Sequence, residues 1–299
     1  MNKFLSQRIL KVISGTQSFC LHCAGFNGAD LSNLVNEAAL VAIRRNADAI
    51  EQQDFYWAID RIVDGAHRSR LPREGVAISR VTVYEAGKAV AACLLRRQNG
   101  LLERIERVSV VPRTDEMSRT VLERRQDEDF TFPTRSRLFD RMQMMLAGRA
   151  AEEVVFGTAS TLADRDLLYS SQLARMVVTS FSLDDKVGFT SYVDKLALSQ
   201  RSNGALAELF PQSNADTDRY ATKEPSDKER ERVDERVQAI VKEHYESVRQ
   251  LLYKHREPLR AVSDALYERD QIEGQDVEQL LADSEQPVER ESSAAMAGA

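Results

Sequence analysis

The segment at residues 83–90, with the sequence VYEAGKAV, constrains this chain most, because it sets a glutamate into an apolar helical pattern. Residues three and four apart lie on the same face of a helix, so Tyr84, Glu85 and Lys88 share one face. The apolar pattern continues beyond the segment and predicts a helix over about residues 82–97. Taken alone, the segment fits an ordinary amphipathic helix.

The spacing of these three residues also resembles the HExxH pattern of zinc peptidases. In that pattern, two histidines bind the metal and the glutamate is the general base for the metal-bound water. Here Glu85 stands at the glutamate position, while Tyr84 and Lys88 stand where the histidines would be. Deprotonating a lysine with a pKa of about 10.4 costs roughly 4–5 kcal/mol at neutral pH, and tyrosine has a pKa of about 10. Zinc-dependent catalysis is therefore not expected.

Three further segments carry a resemblance to a known family. They are GFNGADLSNLVNEAAL at residues 25–40, RVSVVPR at 107–113 and LAGRAAEEVVFG at 146–157. They stand in the order seen in FtsH-type AAA+ zinc metalloproteases, and the resemblance runs from about residue 25 to residue 282. The chain resembles the C-terminal part of such a protein. The resemblance implies a mainly α fold, with an AAA+ helical lid followed by a mostly helical peptidase domain that contains a small β element.

The resemblance and the composition together divide the chain into four parts. Residues 1–24 are a divergent N-terminal segment, 25–75 a lid remnant, 78–283 the FtsH-type peptidase-like domain, and 284–299 a tail predicted to be disordered. The first 29 residues contain no acidic residue, which is mildly similar to an organelle transit peptide. A truncated chain whose start replaces a lost upstream portion is the alternative, and both interpretations stay open.

The lid remnant contains two helical patterns. Asn27 can cap a helix that begins at Gly28 or Ala29, and a second helix is predicted over residues 51–63. The apolar face of the first helix consists of Leu31, Leu34, Val35, Ala38, Ala39 and Ala42, and the buried stripe predicted for the second consists of Phe55, Ala58, Ile59 and Ile62. The resemblance implies that Gly28 and Ala29 border the nucleotide in the family.

The sequence lacks the elements that bind and hydrolyse ATP. No GxxxxGK[ST] loop occurs, so no backbone cradle for phosphates is present. No apolar strand ends in paired acids that could hold magnesium. We therefore expect no ATPase activity, and we expect neither zinc nor ATP as a cofactor, although the family uses both.

The resemblance implies a third metal ligand, an aspartate near the start of the helix after the LAGRAAEE element. Matching ASTLADRDLLYSSQLAR to that region places Asp166 there, and Asp164 would face elsewhere. Tyr84, Glu85, Lys88 and Asp166 then stand where an active member has histidine, glutamate, histidine and aspartate. We expect the Lys88 ammonium to pair with Glu85 or Asp166, and the alternative is that it extends to solvent. The histidines lie elsewhere, at His22, His67, His244 and His255.

The rest of the peptidase-like domain reads as one strand and several helices. The strand is predicted at residues 104–111, and the helices at 133–156, 164–181, 228–255, 258–269 and 274–282, with a mobile loop at 200–226. The predicted core includes Leu138, Met142, Met144, Met145 and Leu146, and the helix at 164–181 carries the apolar residues Leu168, Leu173, Val177 and Val178. The exposed strand edge near Val108 and the helix at 228–255 are candidate surfaces for oligomerisation.

Charge and hydropathy limit the partners. The net charge of -6, with acids and bases intermixed, argues against a nucleic-acid surface. No apolar run reaches the roughly 18–20 residues that a bilayer span requires. Any association with a membrane is therefore expected to come through partners or through sequence that this chain lacks.

The substitutions at Tyr84 and Lys88, with the stretch DEDFTFPTRSRLFDRMQMMLAGRAAEE, resemble the proteolytically inactive FtsH-like proteins of plant and algal plastids. The resemblance implies a plastid location, with the mitochondrion as the alternative. It implies a pseudo-protease subunit that assembles with FtsH-type subunits or a related AAA+ complex and handles protein substrates in protein quality control. An active zinc metalloendopeptidase with a rearranged metal site is the competing hypothesis. A truncated copy without an independent role is a third.

Overall fold

The structure, a computed structural model, describes residues 27–45, 47, 49–64, 75–112, 118–123, 133–188 and 226–285. The predicted N-terminal segment, most of the predicted loop and residues 286–299 lie outside these ranges. The α-helices are α1 (Gly28–Arg44), α2 (Gln52–Asp64), α3 (Val76–Asn99), α4 (Arg135–Phe156), α5 (Asp164–Thr179), α6 (Asp227–Lys254), α7 (Arg256–Arg269) and α8 (Gly274–Glu285). The strands are β1 (Ile105–Ser109), β2 (Arg119–Leu122) and β3 (Gln271–Glu273). The predicted mainly α fold with a small β element is confirmed.

The chain forms two compact units, and the first contains α1 and α2. The side chain of Asn27 caps α1 by accepting hydrogen bonds from the backbone N–H groups of Ala29 and Asp30, at 2.8 and 3.0 Å. The two helices share a small core of Leu34, Ala38, Phe55, Ala58 and Ile59.

Two residues of the predicted apolar face of α1 are exposed. Leu31 and Val35 each keep 42% of their surface accessible, whereas Leu34 keeps 1%. Among the described residues of this unit α1 packs mainly against α2, and the helix side that carries Leu31 and Val35 stays accessible. The apolar face that was predicted for α1 is therefore buried only in part.

The second unit is built around α3, which is buried along most of its length and packs mainly on α4 and α7. It begins at Val76, six residues before the predicted start at residue 82, and ends at Asn99, where Gly100 caps it with a φ of 70° in the left-handed region. Helix α4 in turn packs on α5 and α6. The predicted core methionines Met142, Met144 and Met145 are buried on α4.

Helices α3 and α4 approach closely at Gly87. A Cβ atom added there would lie 2.3 Å from the Cβ of Ala151 and 2.9 Å from the backbone oxygen of Ala147. No real Cβ atom tolerates a distance of 2.3 Å. Glycine at this position therefore allows the close approach of the two helices.

The small β element is a three-stranded antiparallel sheet in the order β2-β1-β3. Only β1 was predicted, and it occupies the centre of the sheet. Val108 is fully buried and pairs with Thr120 on one side and Ile272 on the other. The expectation of an exposed strand edge near Val108 was therefore wrong, because two strands without a strong sequence pattern flank it.

A buried charged cluster fixes the turn between α4 and α5. Glu152 is fully buried, and its carboxylate lies 3.2 Å from Nη1 of Arg80. It also accepts hydrogen bonds from the backbone N–H and the hydroxyl of Ser160, at 3.0 and 2.8 Å. Arg80 donates in addition to the backbone oxygen of Thr158 at 3.1 Å. The cluster holds residues 158–160 just before the 3-10 helix Thr161–Ala163 and α5.

The C-terminal part of the unit follows the predicted helices, with small differences. Leu168, an apolar residue of α5, is 55% exposed, whereas Leu173, Val177 and Val178 on the same helix are fully buried. Helix α8 extends through Glu285, two residues beyond the predicted domain end at 283. Within the ranges that the structure describes, no helix combines the length and the apolar composition that a bilayer span requires.

Candidate functional site

The four residues that were matched to a metal site come together in the second unit. Tyr84, Glu85 and Lys88 lie on α3, and Asp166 lies in the first turn of α5. Nζ of Lys88 is 3.4 Å from Oε1 of Glu85 and 3.3 Å from Oδ2 of Asp166. The ammonium therefore lies between two carboxylates from two different helices.

Glu85 is 1% exposed and both of its carboxylate oxygens are in contact with donors. Oε1 faces the Lys88 ammonium, and Oε2 accepts a hydrogen bond of 2.6 Å from the hydroxyl of Thr120 on β2. Thr120 is not identifiable from the sequence, since a threonine in a short strand carries no local signal of a partner 35 residues away.

Tyr84 is buried, and its ring packs against the backbone of α4 at Gly148. A Cβ atom on Gly148 would lie 2.5 Å from Cε2 of the ring, so this position must lack a side chain. The Tyr84 hydroxyl donates a short hydrogen bond to Oδ2 of Asp166. Burial, together with the charge of Asp166, raises the pKa of Tyr84 well above its ordinary value, so the phenol stays protonated.

Lys88 points inward, with 12% of its side chain exposed. Its ammonium lies 5.5 Å from the centre of the Tyr84 ring, within the range of a cation–π contact. Burial by itself would lower the pKa of Lys88, but the charges of Asp166 and Glu85 outweigh burial and raise the pKa. Lys88 is therefore protonated at neutral pH and has no lone pair to give a metal.

The donor set does not fit zinc. A structural or catalytic zinc ion needs deprotonated ligands, whereas this site presents an ammonium and a protonated phenol to the two carboxylates. Within the described ranges, no group of three or more histidine, cysteine, aspartate and glutamate residues is arranged to hold a metal. We therefore derive no zinc-dependent step for this site.

The other candidate residues lie outside this cluster. His244 contacts Gln143 at 2.9 Å and the ring of Phe139, and Nδ1 of His255 contacts the backbone oxygen of Leu251 at 2.8 Å. Asp164 accepts a hydrogen bond from the backbone N–H of Arg165.

The residues proposed for the nucleotide edge, Gly28 and Ala29, form the exposed first turn of α1. His22 and His67 lie outside the described residues.

Two protein families match separate parts of this chain. Residues 77–280 match peptidase family M41, and residues 19–57 match the AAA+ lid domain. The ATP-dependent zinc metalloprotease FtsH of Thermotoga maritima is 34% identical over 263 residues, covering 87% of this chain and 39% of that protein. The protein of the same name from Bacillus subtilis is 31% identical over 266 residues, covering 89% of this chain and 39% of the relative.

A third relative, ATP-dependent zinc metalloprotease FtsH of Syntrophobacter fumaroxidans, is 31% identical over 267 residues, covering 89% of this chain and 38% of that protein. The chain therefore spans little more than a third of the length of these relatives. The match to the M41 family nevertheless extends over more than half of the chain. The protein therefore belongs to the FtsH-type family of peptidases, peptidase family M41.

Proposed function

We propose that this chain is a proteolytically inactive FtsH-family subunit, a pseudo-protease that acts in the assembly or substrate handling of an FtsH-type ATP-dependent protease or a related membrane AAA+ complex. The observation that carries the proposal is the position of the Lys88 ammonium between Glu85 and Asp166. A dication placed at the same point would be repelled by the ammonium.

The environment of Glu85 supports the same conclusion. A general base must reach the proton that it removes within hydrogen-bond distance, directly or through one water. The two oxygens of Glu85 instead accept from Lys88 and Thr120, and the carboxylate is almost fully buried. Glu85 is thus a degenerate general-base position with a structural role.

The first test is peptide-bond hydrolysis by the purified full-length chain. We expect no cleavage of casein or of an unstructured peptide library, with or without added zinc, because the site offers no metal ligand set. An FtsH relative in the same assay is the positive control. Cleavage that a chelator stops and that Glu85→Gln abolishes would establish the competing hypothesis of an active enzyme. Cleavage that survives Glu85→Gln would be attributed to a contaminant.

The second test is co-assembly. We expect the chain to enter higher-order complexes with FtsH-type subunits from its own source, as measured by light scattering on mixtures and by mass spectrometry of native co-purified complexes. A AAA+ protein without an M41 domain is the control. A strict monomer in every mixture would contradict the subunit role. We further propose a plastid membrane as the site of assembly, with the mitochondrion as the alternative, and organelle fractionation separates the two.

A further inference from the structure

We propose that one lysine ammonium and two hydroxyl donors take the structural place of a metal dication in this site, so that the folded state of the domain depends on Lys88. The inference concerns how the domain is held together. It stands whether or not the chain acts as a subunit.

The site contains two carboxylates whose negative charges have to be compensated. Glu85 of α3 and Asp166 of α5 converge on the same point, and each lies within 3.4 Å of the Lys88 ammonium. A dication would neutralise two carboxylates, but the ammonium carries a single charge. One ammonium therefore leaves one negative charge to be stabilised in a largely buried setting.

The two hydroxyl groups supply that stabilisation. Thr120 donates to Oε2 of Glu85, and Tyr84 donates to Oδ2 of Asp166. Hydrogen bonds to a carboxylate are charge-assisted and stronger than those between neutral groups. Each carboxylate thus contacts the shared ammonium and also accepts from one hydroxyl, and neither is left without a donor.

These contacts also join separate elements of the domain. Lys88 links α3 to α5 through Asp166, and Thr120 links β2 to α3 through Glu85. A bound metal stabilises a fold in the same way, because its ligands come together only in the folded state. Removing the ammonium therefore loosens the attachment of α5 to α3 as well as exposing two carboxylates to each other.

The first measurement compares Lys88→Met with Lys242→Met by thermal unfolding of the full chain. Lys242 is an exposed lysine within α6 and serves as the matched control. We expect Lys88→Met to lower the Tm by roughly 5–10 °C, because the buried Glu85 and the partly buried Asp166 lose their cation. We expect Lys242→Met to change the Tm by less than about 2 °C. Equal effects of the two substitutions would overturn the proposal.

A double-mutant cycle then tests the source of the loss. Asp166→Asn in the Lys88→Met background removes one of the two facing carboxylates. We expect the double variant to melt at a higher temperature than Lys88→Met alone, although Asp166→Asn alone lowers the Tm of the parent. Strictly additive losses would show that Lys88 and Asp166 are not coupled and would overturn the proposal.

The last measurement restores the dication. We expect Tyr84→His with Lys88→His to bind about one zinc per chain and to melt at a higher temperature when zinc is added. Adding Asp166→Ala to that variant should abolish both effects, and the parent should show neither. Stoichiometric zinc in the parent, or a folded double variant without zinc, would overturn the proposal. If the double variant does not fold, the Lys88 and Asp166 cycle decides.

Discussion

Replacing Gly87 with alanine should destabilise the peptidase-like domain by about 2–3 kcal/mol, because the added methyl group enters an already filled helix contact. The new Cβ would lie 2.3 Å from the Cβ of Ala151 and 2.9 Å from a backbone oxygen, which cannot rotate away. Alanine is the better helix former by about 1 kcal/mol. The expected loss therefore has the opposite sign to the one that propensity alone predicts, and chemical unfolding followed by circular dichroism measures it.

Two variants provide controls for this result. Gly28→Ala makes the same change where no atom lies within 4 Å, so we expect it to be neutral or slightly stabilising. Ala151→Gly added to Gly87→Ala moves the methyl group across the interface, and should recover part of the lost stability. If Gly87→Ala proved as stable as the parent, α3 and α4 could not approach as closely as the structure has them.

Glu152→Ala should cost roughly 3–5 kcal/mol, the range seen when one partner of a buried ion pair is removed. The carboxylate is fully buried and accepts from Arg80 and Ser160, so its loss leaves the partly buried Arg80 guanidinium without its carboxylate partner and the Ser160 hydroxyl without its acceptor. The adjacent Glu153→Ala is the matched control. Glu153 is partly exposed and pairs with Arg149 at 3.6 Å, which predicts a loss below about 1 kcal/mol.

Comparing the free energies of unfolding of the two variants tests the assignment directly, since they differ by one position on the same helix. Similar free energies of unfolding for Glu152→Ala and Glu153→Ala would mean that the cluster around Glu152 does not stabilise the folded state. The cluster also fixes the turn that leads into α5. We therefore expect Glu152→Ala to displace Asp166 from Lys88 and to weaken the effect of Lys88→Met.

Local signals in the sequence predicted the helices well. Asn27 caps α1 as expected, and the apolar pattern of residues 228–255 gave a helix within one residue of the observed Asp227–Lys254. Burial was harder to predict. Leu31 and Leu168 lie at helical apolar spacing but are exposed, because periodicity identifies a face of a helix and not the element that covers it.

The site was predictable to the extent that its residues lie on one helix. The spacing of Tyr84 and Lys88 placed them on one face, and a family resemblance pointed to Asp166. Thr120 and Gly148 were not predicted, since their contacts with α3 span 35 and 64 residues of sequence and depend on tertiary packing. The strands β2 and β3 were also not predicted. Neither has more than four residues, which is too short for a clear alternating pattern in the sequence.

The shared Lys88 ammonium affects how this site could evolve back into a metal site. Lys88→His alone removes the cation while Tyr84 still offers no ligand, and Tyr84→His alone leaves a positive charge that repels a metal. Neither single step toward a histidine pair creates a metal site: the first loses the ammonium without gaining a metal, and the second keeps the ammonium but loses the Tyr84 hydroxyl that donates to Asp166. The lysine–carboxylate site and a histidine metal site are therefore separated by a less stable intermediate. Lineages that carry this lysine–carboxylate arrangement should therefore seldom regain a metal centre through successive single substitutions.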